Sequence, residues 1–185
     1  MITNEDLTKA LLRLEKAQEE TNEQMRKTDE QMKRTDEQMK RTDKKIEALT
    51  ANINGVNRSI GLEVEEFFYS SFKRNPKLAN IEFDFVYQND SRNFKGKTQE
   101  IDILLENGSS VGVVEVKNRV SEKSIDQLDK IMESFDYFHP LYKDYKVIGA
   151  IAGKIFPKHL QDKALKKGYS VVTQQGEHIE QINPL

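Results

Sequence analysis

Asp102, Glu115 and Lys117 are charged residues set inside apolar, β-branched runs, Ile101–Leu105 and Val113–Val116. Burying a charge in such a run is costly unless the charge is paired or does chemical work. Two carboxylates and a lysine brought onto one face of a hairpin would form a divalent-cation site with an ammonium beside it, the arrangement that phosphodiester hydrolysis needs. Every side-chain ligand would be an oxygen, and the chain has no Cys. That donor set suits Mg²⁺ or Mn²⁺ rather than a thiolate zinc site.

The flanking pattern supplies the hairpin. One strand is expected over Gln99–Leu105 and another over Val111–Lys117, with Asn107-Gly108 as a two-residue turn. That turn pairs Leu104 with Val111, Asp102 with Val113 and Glu100 with Glu115. Side chains alternate along a strand, so Glu100, Asp102, Glu115 and Lys117 share one face. Ile101, Ile103, Val114 and Val116 then form an apolar core face. An ordinary cross-strand ion pair on a solvated sheet is the alternative to a metal site here.

The remaining elements fit an α/β domain. Residues 60–73 read as an amphipathic helix burying Val64, Phe67, Phe68 and Phe72, stopped by Asn75-Pro76. Ile81–Tyr87 alternates as a strand, and Gln88–Lys97 reads as a polar loop. A helix over Ser121–Phe138, a buried strand over Tyr145–Ile151, a basic helix from Pro157 to Lys167 and two short strands complete the order. Lys95, Lys97, Arg119, Lys158, Lys163, Lys166 and Lys167 could track phosphates, though in so charged a chain surface lysines are commonly just solvated. His139, His159 and His178 stand apart with no ligand spacing.

The first sixty residues are different in kind. Met25, Met32 and Met39 recur at seven-residue intervals with Thr28, Thr35 and Thr42 between them. The frame extends outward through Leu7, Leu11 and Leu14 at one end and Ile46, Leu49, Ile53 and Val56 at the other. A strict heptad predicts a left-handed coiled coil. One helix of about 50 residues would span roughly 75 Å, started by a cap at Asn4 or Thr3 with Glu5 and Asp6 in its first turn. Gly55 and Gly61 mark where it could falter. The division expected is a coiled-coil oligomerisation helix over 1–58, a homo-oligomer through residues 4–60 with a dimer as first choice and trimer or tetramer left open by the Thr-rich seam, and a separate domain over 59–185.

Composition narrows the class further. The 185 residues are 36% hydrophobic and 32% charged, with a net charge of −2. Residues 1–60 carry twelve acids and twelve bases, and the rest nineteen acids and seventeen bases. No overall basic excess advertises nucleic acid, so any such contact must be local. No apolar run is long enough to span a membrane and the first residues lack signal-peptide blocks, which with the absence of Cys fits a cytoplasmic protein.

Asp102, a hairpin, then Glu115-Val116-Lys117, after a glutamate-bearing helix and before another helix, resembles the PD-(D/E)xK nuclease superfamily. The resemblance covers the C-terminal two-thirds of the chain, with Ile101 where the family name has proline. It implies a restriction-endonuclease-like mixed sheet flanked by helices, here preceded by a long coiled-coil helix, as in a group of bacterial proteins of that fold. It implies a metal-dependent endonuclease, with DNA the expected substrate, in which Asp102, Glu115 and the Val116 carbonyl hold Mg²⁺ or Mn²⁺. Lys117 would orient or deprotonate the attacking water. A metal-associated glutamate belongs on the first helix, where Gly61-Leu-Glu-Val-Glu65 is similar to the start of many such domains. Glu65 is the first choice, with Glu63 and Glu66 open, and Gln127 matches a polar position some members place beside the lysine. The alternative is a non-catalytic coiled-coil scaffold whose nuclease-like domain only binds nucleic acid or protein.

Overall fold

The structure, a computed structural model, describes residues 4–184, so a cap at Thr3 lies outside the described residues. Two compact units are present, Met1–Gly55 and Val56–Leu185.

In the first unit the chain is helical throughout its described part, within α1 (Asn4–Arg74). Gly55 and Gly61 do not interrupt α1 as the sequence allowed. Glycine in a helix costs only ~1 kcal/mol, which the surrounding helix formers absorb. The heptad positions Leu7, Leu14, Met32, Leu49 and Ile53 are all more than half exposed. The threonines between them resolve their own polarity, because Thr21, Thr28, Thr35 and Thr42 each donate Oγ1–H to the carbonyl four residues earlier, at 2.8–3.0 Å. With the hydroxyl spent inside the helix, what each threonine offers a neighbour is its methyl group.

The second unit is a mixed α/β domain. Its six-stranded sheet runs in the order β3 (Phe85–Phe94), β4 (Lys97–Glu106), β5 (Ser110–Arg119), β6 (Lys146–Ile155), β7 (Ser170–Gln175), β8 (His178–Ile182). The hairpin-linked pairs β3/β4, β4/β5 and β7/β8 are antiparallel. The pairs joined through α2 (Glu122–Phe138) and α3 (Lys158–Lys166) are parallel, as crossover connections require. One sheet face packs Val64, Phe68 and Phe72 of α1 against Ile103, Leu105, Val114 and Val116. The other packs Ile125, Leu128 and Phe135 of α2 and Leu160 and Ala164 of α3 against Leu104, Val111, Val113 and Ile151. Each fully buried Phe or Leu side chain contributes about 1.5–3 kcal/mol. β5, flanked by β4 and β6 and covered on both faces, is the most deeply buried strand.

Three expectations are corrected. Residues 81–87 do not form one strand: β1 (Lys77–Leu78) and β2 (Ile81–Glu82) make a miniature hairpin, turned by Ala79 and Asn80 at positive φ. Gln88–Lys97 is not a loop but the end of β3, a two-residue turn and the start of β4. The turn is Lys95-Gly96, with φ of 51° and 75°, the double positive φ of a tight hairpin turn. Asn107-Gly108 does not make such a turn. Asn107 Oδ1 instead accepts the N–H groups of Ser109 (2.9 Å) and Ser110 (2.7 Å), and Asn107 Nδ2 donates to Glu82 O at 2.7 Å. The connection therefore spans three residues, 107–109, and the register moves by two, pairing Leu104 with Val113 and Glu106 with Val111.

Gly153, opposite Lys117 in the β5/β6 ladder, shows how closely this end of the sheet is packed. A Cβ there would lie 2.5 Å from Val120 Cγ2. Overpacking of this kind costs about 1–3 kcal/mol. We expect Gly153→Ala to lower the melting temperature by several degrees, and Gly108→Ala, with nothing within 4 Å of its Cβ position, to leave it unchanged.

Candidate active site

The β4/β5 ladder ends at Ile103↔Val114. β4 continues beside β3, and β5 continues beside β6 as far as Arg119↔Ile155. The two strands therefore part company just where Asp102 and Glu115 stand opposite each other. Beyond the fork Val116 N–H has no β4 carbonyl to meet, and the Asp102 side chain takes its place, Oδ2 accepting that N–H at 2.7 Å.

The same point carries a change of face. Asn89, across from Asp102, adopts φ of 55°, and the β3/β4 pairing skips both residues before resuming at Asp90↔Ile101. In consequence Ile101 packs with the α2-side cluster and Ile103 with the α1-side cluster. The expected common core face for Ile101 and Ile103 is thus wrong. Glu100, expected opposite Glu115, pairs with Ser91 instead and is exposed.

Glu115 is 1% exposed, a carboxylate placed in the central strand of the sheet. Lys117 Nζ lies in ion contact with Glu115 Oε1 and 3.8 Å from Asp102 Oδ2. Apart from the Lys117 ammonium, that buried oxygen has no hydrogen-bond partner among the described residues. Of the three candidate glutamates on α1, Glu63 and Glu66 are exposed and Glu66 accepts from Ser70 Oγ. Glu65 is half-buried and its charge is felt by both Glu115 and Lys117.

The titration behaviour follows from this crowding. Burial, then the Asp102 charge, pushes Glu115 up to about 7 despite Lys117. Burial also raises Asp102, against the pull of the Val116 N–H and Lys117. Burial and Asp102 raise Glu65 as well. Burial works against the charge on Lys117, but Glu115, Asp102 and Glu65 together overcome it and hold the ammonium above its ordinary pKa.

Three carboxylates around one ammonium leave two negative charges uncompensated when all are ionised, the charge of one divalent cation. The all-oxygen side-chain donors fit such an ion. Among the described residues, no three His, Asp or Glu side chains gather closely enough to hold a metal unaided. Asp102 and Glu115 are the pair that would bind first, and both recorded contacts of Asp102 use Oδ2, leaving Oδ1 for a further ligand.

His139, which spacing left isolated, is buried, and its Nε2 lies 2.6 Å from Asp90 Oδ2. Burial would raise Asp90, but hydrogen bonds from His139 and Arg92 outweigh it and hold the carboxyl below its ordinary value. This contact ties β3, just past its kink, to the end of α2 and so braces the outer side of the fork. A sequence of scattered histidines carries no sign of it.

No family model matches the chain, and no curated protein matches it. Among solved structures, a repair endonuclease from Pyrococcus abyssi is similar over 65% of this chain and 47% of its own, at 14% identity and a TM-score of 0.44. A structure of an EndoMS–dsDNA2 complex is similar over 60% of this chain and 44% of its own, at 14% identity and a TM-score of 0.45. The chain thus spans less than half the length of either. Among the described residues no helix is long and apolar enough to cross a membrane.

Proposed function

We propose that the chain is a divalent-metal-dependent endonuclease that hydrolyses phosphodiester bonds in DNA. The observation that carries this reading is the strand fork, which sets a buried Glu115 opposite Asp102 with Lys117 beside both carboxylates. Asp102 and Glu115 would hold Mg²⁺ or Mn²⁺, aided by the Val116 carbonyl, with Glu65 acting through water. Such an ion, when bound, supplies a Lewis acid and a water of lowered pKa.

The chain's own residues do the rest. Asp102 is fixed in orientation by the Val116 N–H. In the metal-free chain Glu115, Asp102 and Glu65 favour the charged form of Lys117. Its part is to orient the attacking water and to donate from Nζ to a phosphate oxygen as negative charge grows there. The low exposure of Glu115 excludes competing solvent from one side of the site.

Incubation of supercoiled plasmid and single-stranded circles with Mg²⁺ or Mn²⁺ tests the proposal. Metal-dependent nicking that disappears in Asp102→Asn supports it, and cleavage of equal rate in that variant refutes the site. The second reading, a scaffold whose domain binds without cutting, is favoured by the Lys117–Glu115 ion contact, since an ammonium already lies where part of a metal's charge would go. Binding without cleavage under every metal would select it.

We further propose that residues 4–60 assemble identical chains through the exposed heptad face. Ile46, Leu49 and Ile53 give that face its strongest apolar end. Leu49→Asp combined with Ile53→Asp is expected to raise the dissociation constant at least a hundredfold, seen by light scattering as a fall to single-chain mass. An unchanged mass would refute the seam.

A further inference from the structure

A polar groove between β4 and α2 is not used by the chemistry above. It is lined by Thr98, Gln99 and Glu100 on one side and Gln127, Lys130 and Ser134 on the other, and encloses about 340 Å³. Gln127, Lys130, Ser134 and Tyr137 recur at spacings of three and four, so they form one stripe along α2. Gln99 sits in the wall of the groove. Its Nε2 donates to Ile131 O (3.0 Å) and Ser134 Oγ (2.8 Å), which spends both amide hydrogens. Its Oε1 is left as a buried acceptor with no partner.

One end of the groove, at Glu100, is two residues from Asp102. The other end opens on the tip of the β3/β4 hairpin, and there the surface changes character. Phe94 is 47% exposed and Tyr137 is 42% exposed. Their rings lie 5.2 Å apart and tilted by 59°. Lys95 Nζ stands 5.2 Å from the Phe94 ring centre and Lys97 Nζ 5.9 Å from that of Tyr137. A cavity of about 250 Å³, walled in part by Asn93 and Pro140, adjoins the two rings. Phe94 and Tyr137 belong to neither core cluster, and Lys95 and Lys97 beside them make no ion pair among the described residues. Arg92 is excluded from the basic set because Asp90 holds it at 3.1 Å.

We propose that the groove takes a single DNA strand leading away from the Asp102–Glu115 site, with unpaired bases stacked one on Phe94 and one on Tyr137 and phosphates against Lys95, Lys97 and Lys130. The inference rests on the nuclease reading and names its substrate class. Aromatic rings bind any base by its flat face, and ammonium groups follow the backbone, which together recognise a strand without regard to sequence. A duplex offers no such face, since stacking hides it. The distance suits a strand as well: five residues from Lys97 to Asp102 span about 17 Å, the reach of a few nucleotides. The turn at Lys95-Gly96 is short and paired on both sides, Phe94 with Lys97, so the platform is held ready before binding.

The test is fluorescence anisotropy on the full chain in EDTA, where no cutting occurs, with a labelled oligothymidine of about 15 nucleotides and a duplex of equal length. The single strand is expected to bind more tightly than the duplex. Phe94→Ala and Tyr137→Ala should each weaken it about tenfold, with Phe94→Tyr restoring it and duplex binding unmoved. Lys95→Ala with Lys97→Ala should reduce the slope of log affinity against log salt by about 1.4. Affinity unchanged in Phe94→Ala, or lost equally on duplex, would overturn the proposal. So would a Phe94→Ala chain that keeps its DNA affinity but loses subunits in solution, since the surface would then join copies of the chain. Plasmid cutting by a wild-type chain whose strand binding ignores Phe94 would sink the groove and spare the nuclease. Strand binding that needs Phe94, without cutting under any metal, would do the reverse.

Discussion

Asp102→Asn and Lys117→Met are each expected to lower the rate of metal-dependent DNA cleavage by about a hundredfold to a thousandfold, with the fold intact. The size follows from what each removes. Asn in place of Asp102 still accepts the Val116 N–H through its amide oxygen, so the fork keeps its geometry. What is lost is one of the two charges that would bind the metal, and with it the source of an activated water. Met in place of Lys117 keeps the length of the side chain but withdraws the ammonium that faces both carboxylates. Electrostatic donors at a developing oxyanion contribute about 10²–10³ each, and here the donor also offsets repulsion between Asp102 and Glu115.

The two variants are separable by metal titration. Asp102→Asn should weaken the apparent affinity for Mn²⁺ at low concentration. Lys117→Met should leave it intact or strengthen it, because a competing cation has gone. The measurement is initial rate of plasmid nicking across a metal series, with near-ultraviolet circular dichroism as the check on folding. Residual cleavage within tenfold of wild type in both variants would show that the bond is cut elsewhere.

What could be read from the sequence was periodic or locally dense. Met25, Met32 and Met39 announce a heptad because a helix repeats its faces, and Asp102 with Glu115-Val116-Lys117 stand out because charges are rare in apolar strands. The register was not legible. It depends on whether Asn107 spends its side chain in the turn or leaves the turn to its backbone, and both are common uses of asparagine. The change of face at Asn89 and Asp102 was hidden for a related reason: strict alternation is the only rule a strand pattern offers, and a single positive φ breaks it. The choice among Glu63, Glu65 and Glu66 needed the angle at which α1 meets the sheet, which spacing does not contain. The groove was out of reach altogether, since Gln99, Lys130 and Ser134 meet only through the packing of α2 on β4.

The second large effect concerns Glu115 and stability. With its carboxyl raised from 4.5 to about 7 by burial and by Asp102, the folded metal-free chain prefers the protonated form more than the unfolded chain does. The associated stability is therefore fully present below pH of about 4.5, and is lost as pH rises through about 7. A shift of this size corresponds to ~3 kcal/mol. Asp102 is raised as well and acts with the same sign. Lys117 does not oppose them in this window, because its raised pKa places its own loss of stability on the alkaline side of 10.5. Urea unfolding in EDTA should thus show stability falling by about 3 kcal/mol between pH 5 and pH 8. Glu115→Gln should flatten that fall and leave the variant the more stable chain at pH 8, though inactive. Adding Mg²⁺ at pH 8 should recover stability in the wild type and not in Glu115→Gln, because an ion that binds the ionised pair in the folded chain alone shifts the equilibrium toward it. Parallel pH profiles for the two chains would mean that Glu115 carries no such burden, and the charge argument for a cation at the fork would fall with it.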